Sequence, residues 1–154
     1  LDLFEPLIGF RRRIMNAARY LAVFLSAIGL YIAAYFTLVY YGLIRANTKL
    51  MPNVCQLEEH SCQTVLGTRF ARVFGVPNSL LGVGYYVVVI SVLLIGWTTS
   101  PVAIAMLAVA WFTVALGLLL AYSLFFIIRI PCPLCLTAHT INLTLAILLT
   151  FILR

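Results

Sequence analysis

The stretch VFGVPNSLLGVGYYVVVISVLLIGWTTSPVAIAMLAVAWFTVALGLLLAYSLFFII, running from Val73 to Ile128, contains no charged residue. One crossing of a bilayer takes about 20 apolar residues at a rise of 1.5 Å each. The run is therefore too long for one crossing and long enough for two. Trp97-Thr98-Thr99-Ser100-Pro101 divides it, with an interfacial Trp, small polar residues and a Pro suited to the first turn of a helix. Two further uncharged runs flank it, Tyr20 to Ile44 and Ile130 to Leu153. The sequence thus predicts four transmembrane helices over about 20–44, 79–97, 101–128 and 133–153. The third is long enough to tilt.

Composition agrees. The chain of 154 residues is 64% hydrophobic and 9% charged, against about 45–50% and about 25% for soluble domains. Mean hydropathy is +1.13. Ten Lys/Arg and four Asp/Glu are too few to cover a small soluble domain. A soluble enzyme, a disordered tail and a nucleic-acid module are excluded. The net charge of +6 is a membrane-surface and topology signal. The expected fold class is an all-α membrane protein, a four-transmembrane-helix bundle forming a single membrane-embedded domain over 1–154.

Four spans place residues 1–19, the turn at 98–100 and Arg154 on one side, side A. The 45–78 segment and the link around Arg129 lie on the other, side B. Side A carries Arg11, Arg12, Arg13, Arg19 and Arg154; side B carries Arg45, Lys49, Arg69, Arg72 and Arg129. The tally is even, but four of the side-A residues precede the first span, which usually sets orientation. Side A is expected in the cytoplasm and side B outside. Residues 3–19 read as an interfacial helix, apolar through Leu3, Phe4, Leu7, Ile8, Phe10 and Ile14 and basic elsewhere. The basic stretch leads into a full-length span without a small-residue cleavage pattern, so no cleavable signal peptide is expected. In the exoplasmic loop 45–78, residues 65–74 mix apolar side chains with Arg69 and Arg72. They predict a short amphipathic cap helix over the side-B mouth, ended by Gly75-Val76-Pro77-Asn78. Asn78 stands where the second span takes its N-cap.

The four cysteines are Cys55, Cys62, Cys132 and Cys135. The first two lie in the side-B loop, and the others open the fourth span at its side-B end. Span counting alone therefore puts all four on one face of the membrane. Ile130-Pro131-Cys132-Pro133-Leu134-Cys135 is a C-x-x-C motif at a helix N-terminus, where unpaired backbone N–H groups and the helix dipole stabilise a thiolate. The thiolate is the species that attacks and leaves in disulfide exchange. His139 follows Cys135 by four residues and Asn142 follows His139 by three, so Cys132, Cys135, His139 and Asn142 share one helical stripe. Polar groups at membrane depth face the bundle interior. The stripe suits a pocket for a lipid-soluble molecule with polar oxygens; the plainer reading makes His139 and Asn142 interhelical hydrogen-bond partners, the more so for Asn142.

Zinc is one alternative, but six residues separate the loop cysteines, and structural zinc sites use closer pairs. A soft-metal-ion binding or transport protein would use paired cysteines too. It needs soft ligands along its path, and the first three spans hold no Cys, His, Asp or Glu and only Met106 as sulfur. A bundle merely stapled by disulfides leaves the C-x-x-C at a helix start unexplained. The reading left is a thiol–disulfide oxidoreductase exchanging electrons with a lipid-soluble carrier.

From Val54 to about Leu143 the chain resembles the vitamin K epoxide reductases and their bacterial homologues. The resemblance rests on Cys55 and Cys62, Thr68-Arg69-Phe70, Phe74-Gly75, Asn78-Ser79-Leu80-Leu81-Gly82 with Tyr86, and Cys132-Pro-Leu-Cys135. The bacterial quinone-linked disulfide-forming enzyme with C-x-x-C ahead of its loop pair has the reverse order. The resemblance implies a quinone (ubiquinone or menaquinone/vitamin K type) as co-substrate, with no metal. It gives Cys135 the place facing the quinone, with Cys132 exchanging with Cys62, and Cys55 passing the disulfide to a thioredoxin-like periplasmic or luminal protein. Asn78 matches a position that hydrogen-bonds a quinone oxygen. His139 falls where the animal enzymes carry Tyr, and an imidazole still donates to a quinone oxygen. Many bacterial members carry a fused thioredoxin domain after the last span; none follows Arg154 here, so the partner is expected to be separate or to have been cut away. The expected role is disulfide formation in exported proteins, in a multi-pass inner-membrane protein with its active site facing the periplasm, or the lumen in an ER membrane. Reduction of vitamin K quinone or epoxide is the alternative main role.

Overall fold

The computed structural model describes residues 4–44, 72, 73, 75–96, 99–129 and 132–153. Four helices account for most of them: α1 (Phe4–Tyr40), α2 (Asn78–Ile95), α3 (Ser100–Tyr122) and α4 (Pro133–Ile152). A two-strand hairpin precedes α2, with β1 (Arg72–Val73) antiparallel to β2 (Val76–Pro77). Four segments are long and apolar enough to cross a membrane: Gly9–Tyr40, Asn78–Ile95, Pro101–Ile127, which runs on past the end of α3, and Pro133–Ile152. The expected all-α membrane bundle is what the chain forms.

The helices pack in the order α2, α1, α4, α3, with α1 against α2 and α4, and α3 against α4. Each turns a 3–4-spaced stripe inward, as an apolar helix with one partnered face does. Tyr86, Val89 and Leu93 do so on α2; Met106, Ala110 and Val114 on α3; Ile141, Leu145 and Leu149 on α4. Small residues let the backbones approach: a side chain at Gly82 would come within 3.3 Å of Ala33 Cβ. Large apolar residues such as Leu94, Ile104, Phe112, Leu118 and Phe126 face outward, where lipid, not water, meets them.

The boundaries differ from expectation in four places. The stretch 3–19 is not a separate interfacial helix, because α1 runs unbroken for 37 residues, about 55 Å at 1.5 Å per residue. Nothing between Phe10 and Ile28 is Gly or Pro, so no residue ends the helix at the membrane surface. The expected cap helix over 65–74 lies mostly outside the described residues, but its end is corrected: Arg72 and Val73 form a strand, paired Arg72 with Pro77 and Val73 with Val76. Gly75 supplies the turn with φ +82°, a conformation that suits glycine. Asn78 is the first helical residue and Pro77, at φ −57° and ψ 129°, holds the N-cap position. In the third span the α-helix stops at Tyr122 and Ser123–Ile128 form a π-helical turn, followed by Arg129 in the left-handed region at φ 57°.

Two contacts tie the ends of elements together. On side A, Arg19 of α1 donates through Nη2 to the Leu94 carbonyl in the last turn of α2 at 3.1 Å, where a cation complements the helix dipole. On side B, the Arg72 guanidinium lies 5.7 Å from the centre of the Tyr40 ring, a cation–π contact holding the hairpin to the end of α1.

Candidate active site at the head of α4

Cys132 sits at the N-cap of α4 in extended geometry, φ −104° and ψ 106°, with Pro133 opening the helix. Proline fits there because that position has no intrahelical N–H bond to lose. The Cys135 backbone N–H donates to Cys132 Sγ at 3.4 Å. Sulfur thus takes the capping role usually filled by a Ser or Asp oxygen, at the positive end of the helix dipole. Cys132 is fully buried within the hydrophobic core, and Cys135 is half-buried beside it. One sulfur is enclosed where the loop side meets the bundle, and the other opens one turn further on.

One turn below Cys135, His139 is half-buried against α3. A Cβ placed on Gly117 would stand 2.8 Å from His139 Nδ1 and 3.3 Å from its Cγ. Gly117 is therefore the cradle for the imidazole. Nδ1 is buried and has no hydrogen-bond partner within the described protein. An orphaned ring nitrogen at this depth is costly, and an oxygen-bearing apolar ligand between α3 and α4 would satisfy it. Ser79 Oγ, near the head of α2, is also buried without a partner among the described residues. On the α2 side the Tyr85 hydroxyl lies beside Thr113. The Thr113 hydroxyl donates to the Ala110 carbonyl at 2.7 Å, and among the described residues no hydrogen bond of good geometry reaches the Tyr85 hydroxyl.

The structure brings Cys132, Cys135 and His139 onto one stripe of α4, as their spacing requires. Asn78 stands half-buried at the start of α2, at the same end of the bundle. Asn142, three residues below His139, accepts at Oδ1 from the Tyr86 hydroxyl at 2.7 Å, so it does bind across helices. Cys55 and Cys62 lie outside the described residues. Two participants escape sequence reasoning: Gly117, which resembles any other membrane-helix glycine, and Tyr86 as the partner of Asn142. The only signal for the latter was a phenol and an amide both at membrane depth.

These features suit two-electron exchange between a dithiol and a small polar-headed lipid: paired sulfurs at a helix N-terminus, an enclosed and a more open thiol, and an imidazole packed on Gly117 whose Nδ1 has no partner among the described residues. The sequence model described as "Vitamin K epoxide reductase family" matches residues 20–150, which takes in α2, α3, most of α1 and α4, and all four cysteines. The chain belongs to that family of membrane oxidoreductases that use quinones.

Proposed function

We propose that the protein oxidises a thioredoxin-like partner on the exoplasmic side and passes the electrons to a membrane quinone, supporting disulfide formation in exported proteins. The observation that carries this reading is the seat of Cys132 Sγ on the α4 N-terminus, 3.4 Å from the Cys135 N–H, above the His139–Gly117 cradle.

Cys55 takes up the partner's electrons by thiol–disulfide exchange, and its disulfide with Cys62 opens. Cys62 then attacks Cys132, breaking the Cys132–Cys135 bond and releasing the Cys135 thiolate; Cys55 next attacks Cys62, which restores the loop disulfide and frees Cys132 as a thiol. When Cys132 and Cys135 close again, two thiols become one disulfide and give up two electrons and two protons. The quinone, of the ubiquinone or menaquinone type, takes both pairs and leaves as the hydroquinone. Asn78 and His139 hold its head group by hydrogen bonds to the oxygens, beside Cys135. The apolar walls exclude water, so electrons pass to the bound molecule. In this reading side A faces the cytoplasm of a bacterial inner membrane and the cysteine end faces the periplasm.

Single substitutions separate the two pairs. Replacing Cys132 or Cys135 by Ser is expected to abolish quinone reduction with every reductant. Replacing Cys55 or Cys62 is expected to abolish turnover with the protein partner and to leave activity with dithiothreitol, which reaches the inner pair directly. If all four variants behave alike with dithiothreitol, the relay is wrong and a single four-cysteine centre such as zinc takes its place.

A further inference from the structure

Below His139 a polar pair closes the bundle. The Tyr86 hydroxyl on α2 donates to Asn142 Oδ1 on α4 at 2.7 Å. Tyr86 is 2% exposed, and its ring occupies the space that a side chain on Gly29 of α1 would need. Three helices therefore meet at this one phenol. Beneath it the core is shut, with Val89, Leu93, Leu145 and Leu149 at most 1% exposed. Nothing the size of a ring passes below that level.

Asn142 is half-buried where Tyr86 is fully buried. Tyr86 takes the carbonyl side of the amide, which assigns the other side to nitrogen and leaves two N–H donors in a fixed orientation. Side chains on a helix lean toward its N-terminus, here the cysteine end. Asn142 also lies on the Cys135–His139 stripe.

We propose that Asn142, oriented by Tyr86, is the inner hydrogen-bond donor to the quinone head group, and that the Tyr86–Asn142 bond sets how deep the head group sits. The inference rests on the quinone reading given above. The depth fits. Seven residues separate Cys135 from Asn142, about 10.5 Å of rise. A sulfur–carbon approach of about 3.5 Å, a ring whose carbonyl oxygens are about 5 Å apart and a hydrogen bond of about 2.9 Å together fill about 11 Å. A donor at the inner oxygen acts where negative charge collects as the ring is reduced. Tyr86 is a positioning residue: without its hydroxyl the amide is free to turn and present its own oxygen, which repels the carbonyl.

The test uses the whole protein in lipid nanodiscs, with dithiothreitol as reductant and a short-chain 1,4-naphthoquinone labelled with carbon-13 at its carbonyls. Asn142→Ala is expected to raise the naphthoquinone KM about fivefold, the loss of one hydrogen bond, with the dithiothreitol KM unchanged. Tyr86→Phe keeps the ring against Gly29 and is expected to move KM in the same direction. In the infrared difference spectrum the parent should show a lowered carbonyl stretch that rises in both variants. A merely structural pair would lower thermal stability without moving that stretch. Unchanged KM and stretch in Tyr86→Phe would overturn the inference, even if Asn142→Ala does not fold. Failure of the parent itself to bind or reduce the naphthoquinone would instead overturn the quinone reading.

Discussion

Gly117 decides whether His139 has a place to stand. A methyl group there would lie 2.8 Å from His139 Nδ1, well inside van der Waals contact. Gly117→Ala is therefore expected to push the imidazole out of its cradle and to cost about 1–3 kcal/mol of overpacking, seen as a lower unfolding temperature. The quinone KM should rise while the dithiothreitol KM stays put. His139→Ala should give the KM change without the overpacking. If Gly117→Ala leaves both stability and quinone KM as they were, the ring is not held by α3. At this scale the sequence was informative wherever chemistry lies along one helix. Cys132, Cys135 and His139 share a stripe because helical period demands it, and they appear on it. What needed the structure was every partner from another helix. A glycine carries no mark of the ring it admits, and Asn142 gave no hint that its mate was Tyr86, 56 positions earlier in the chain.

The elements were legible in kind and less so at their ends. Uncharged runs of membrane length gave four helices because hydropathy fixes that pattern. Ends depend on finer chemistry. Residues 10–28 lack any breaker, so α1 continues through its basic stretch. The valines and Gly75 turn 72–77 into a hairpin where Arg72 and Val73 had read as helical. The π-helical turn at Ser123–Ile128 follows from no residue pattern that we can name. The end of α2 offers a test. Its backbone turns at Gly96 with φ +74°, and among the described residues an added Cβ would meet only the Arg19 guanidinium, at an ordinary 3.7 Å. Gly96→Ala should thus cost about 1 kcal/mol through backbone strain alone. Arg19→Met removes the bond to the Leu94 carbonyl and, in this exposed position, should cost up to about 1 kcal/mol. Unfolding midpoints in detergent read both. A Gly96→Ala protein as stable as its parent would show that the left-handed turn is not required.

At the scale of the whole molecule, the antiparallel run of α1, α2, α3 and α4 brings the heads of α2 and α4 to the same end. Cys132 and Cys135 are there, opposite the Arg19–Leu94 contact that marks side A. Span counting already demanded this, since four crossings leave no freedom about which end opens the fourth helix. Orientation was harder to read, because five basic residues stand on each side. A membrane-impermeant thiol reagent added to intact spheroplasts after mild reduction is expected to label Cys55 and Cys62 from outside. Labelling only after the cytoplasmic face is opened would reverse the orientation and leave the shared side of the four cysteines intact.

The relay between the pairs is tested most directly by trapping it. In the proposed relay Cys62 attacks Cys132, and Cys135 is the thiol that can re-attack Cys132 and reverse the resulting bond. Cys135→Ala removes the thiol that would reclaim Cys132, so Cys132 attacks Cys62 of the loop disulfide, Cys55 leaves as the thiolate, and a Cys62–Cys132 disulfide should accumulate, with the two Cα atoms within about 7 Å. Non-reducing peptide mapping, after alkylation of free thiols, should recover a peptide containing Cys62 joined to one containing Cys132. A Cys55–Cys132 link would exchange the roles of the loop cysteines, and the absence of any link between the two pairs would contradict the relay.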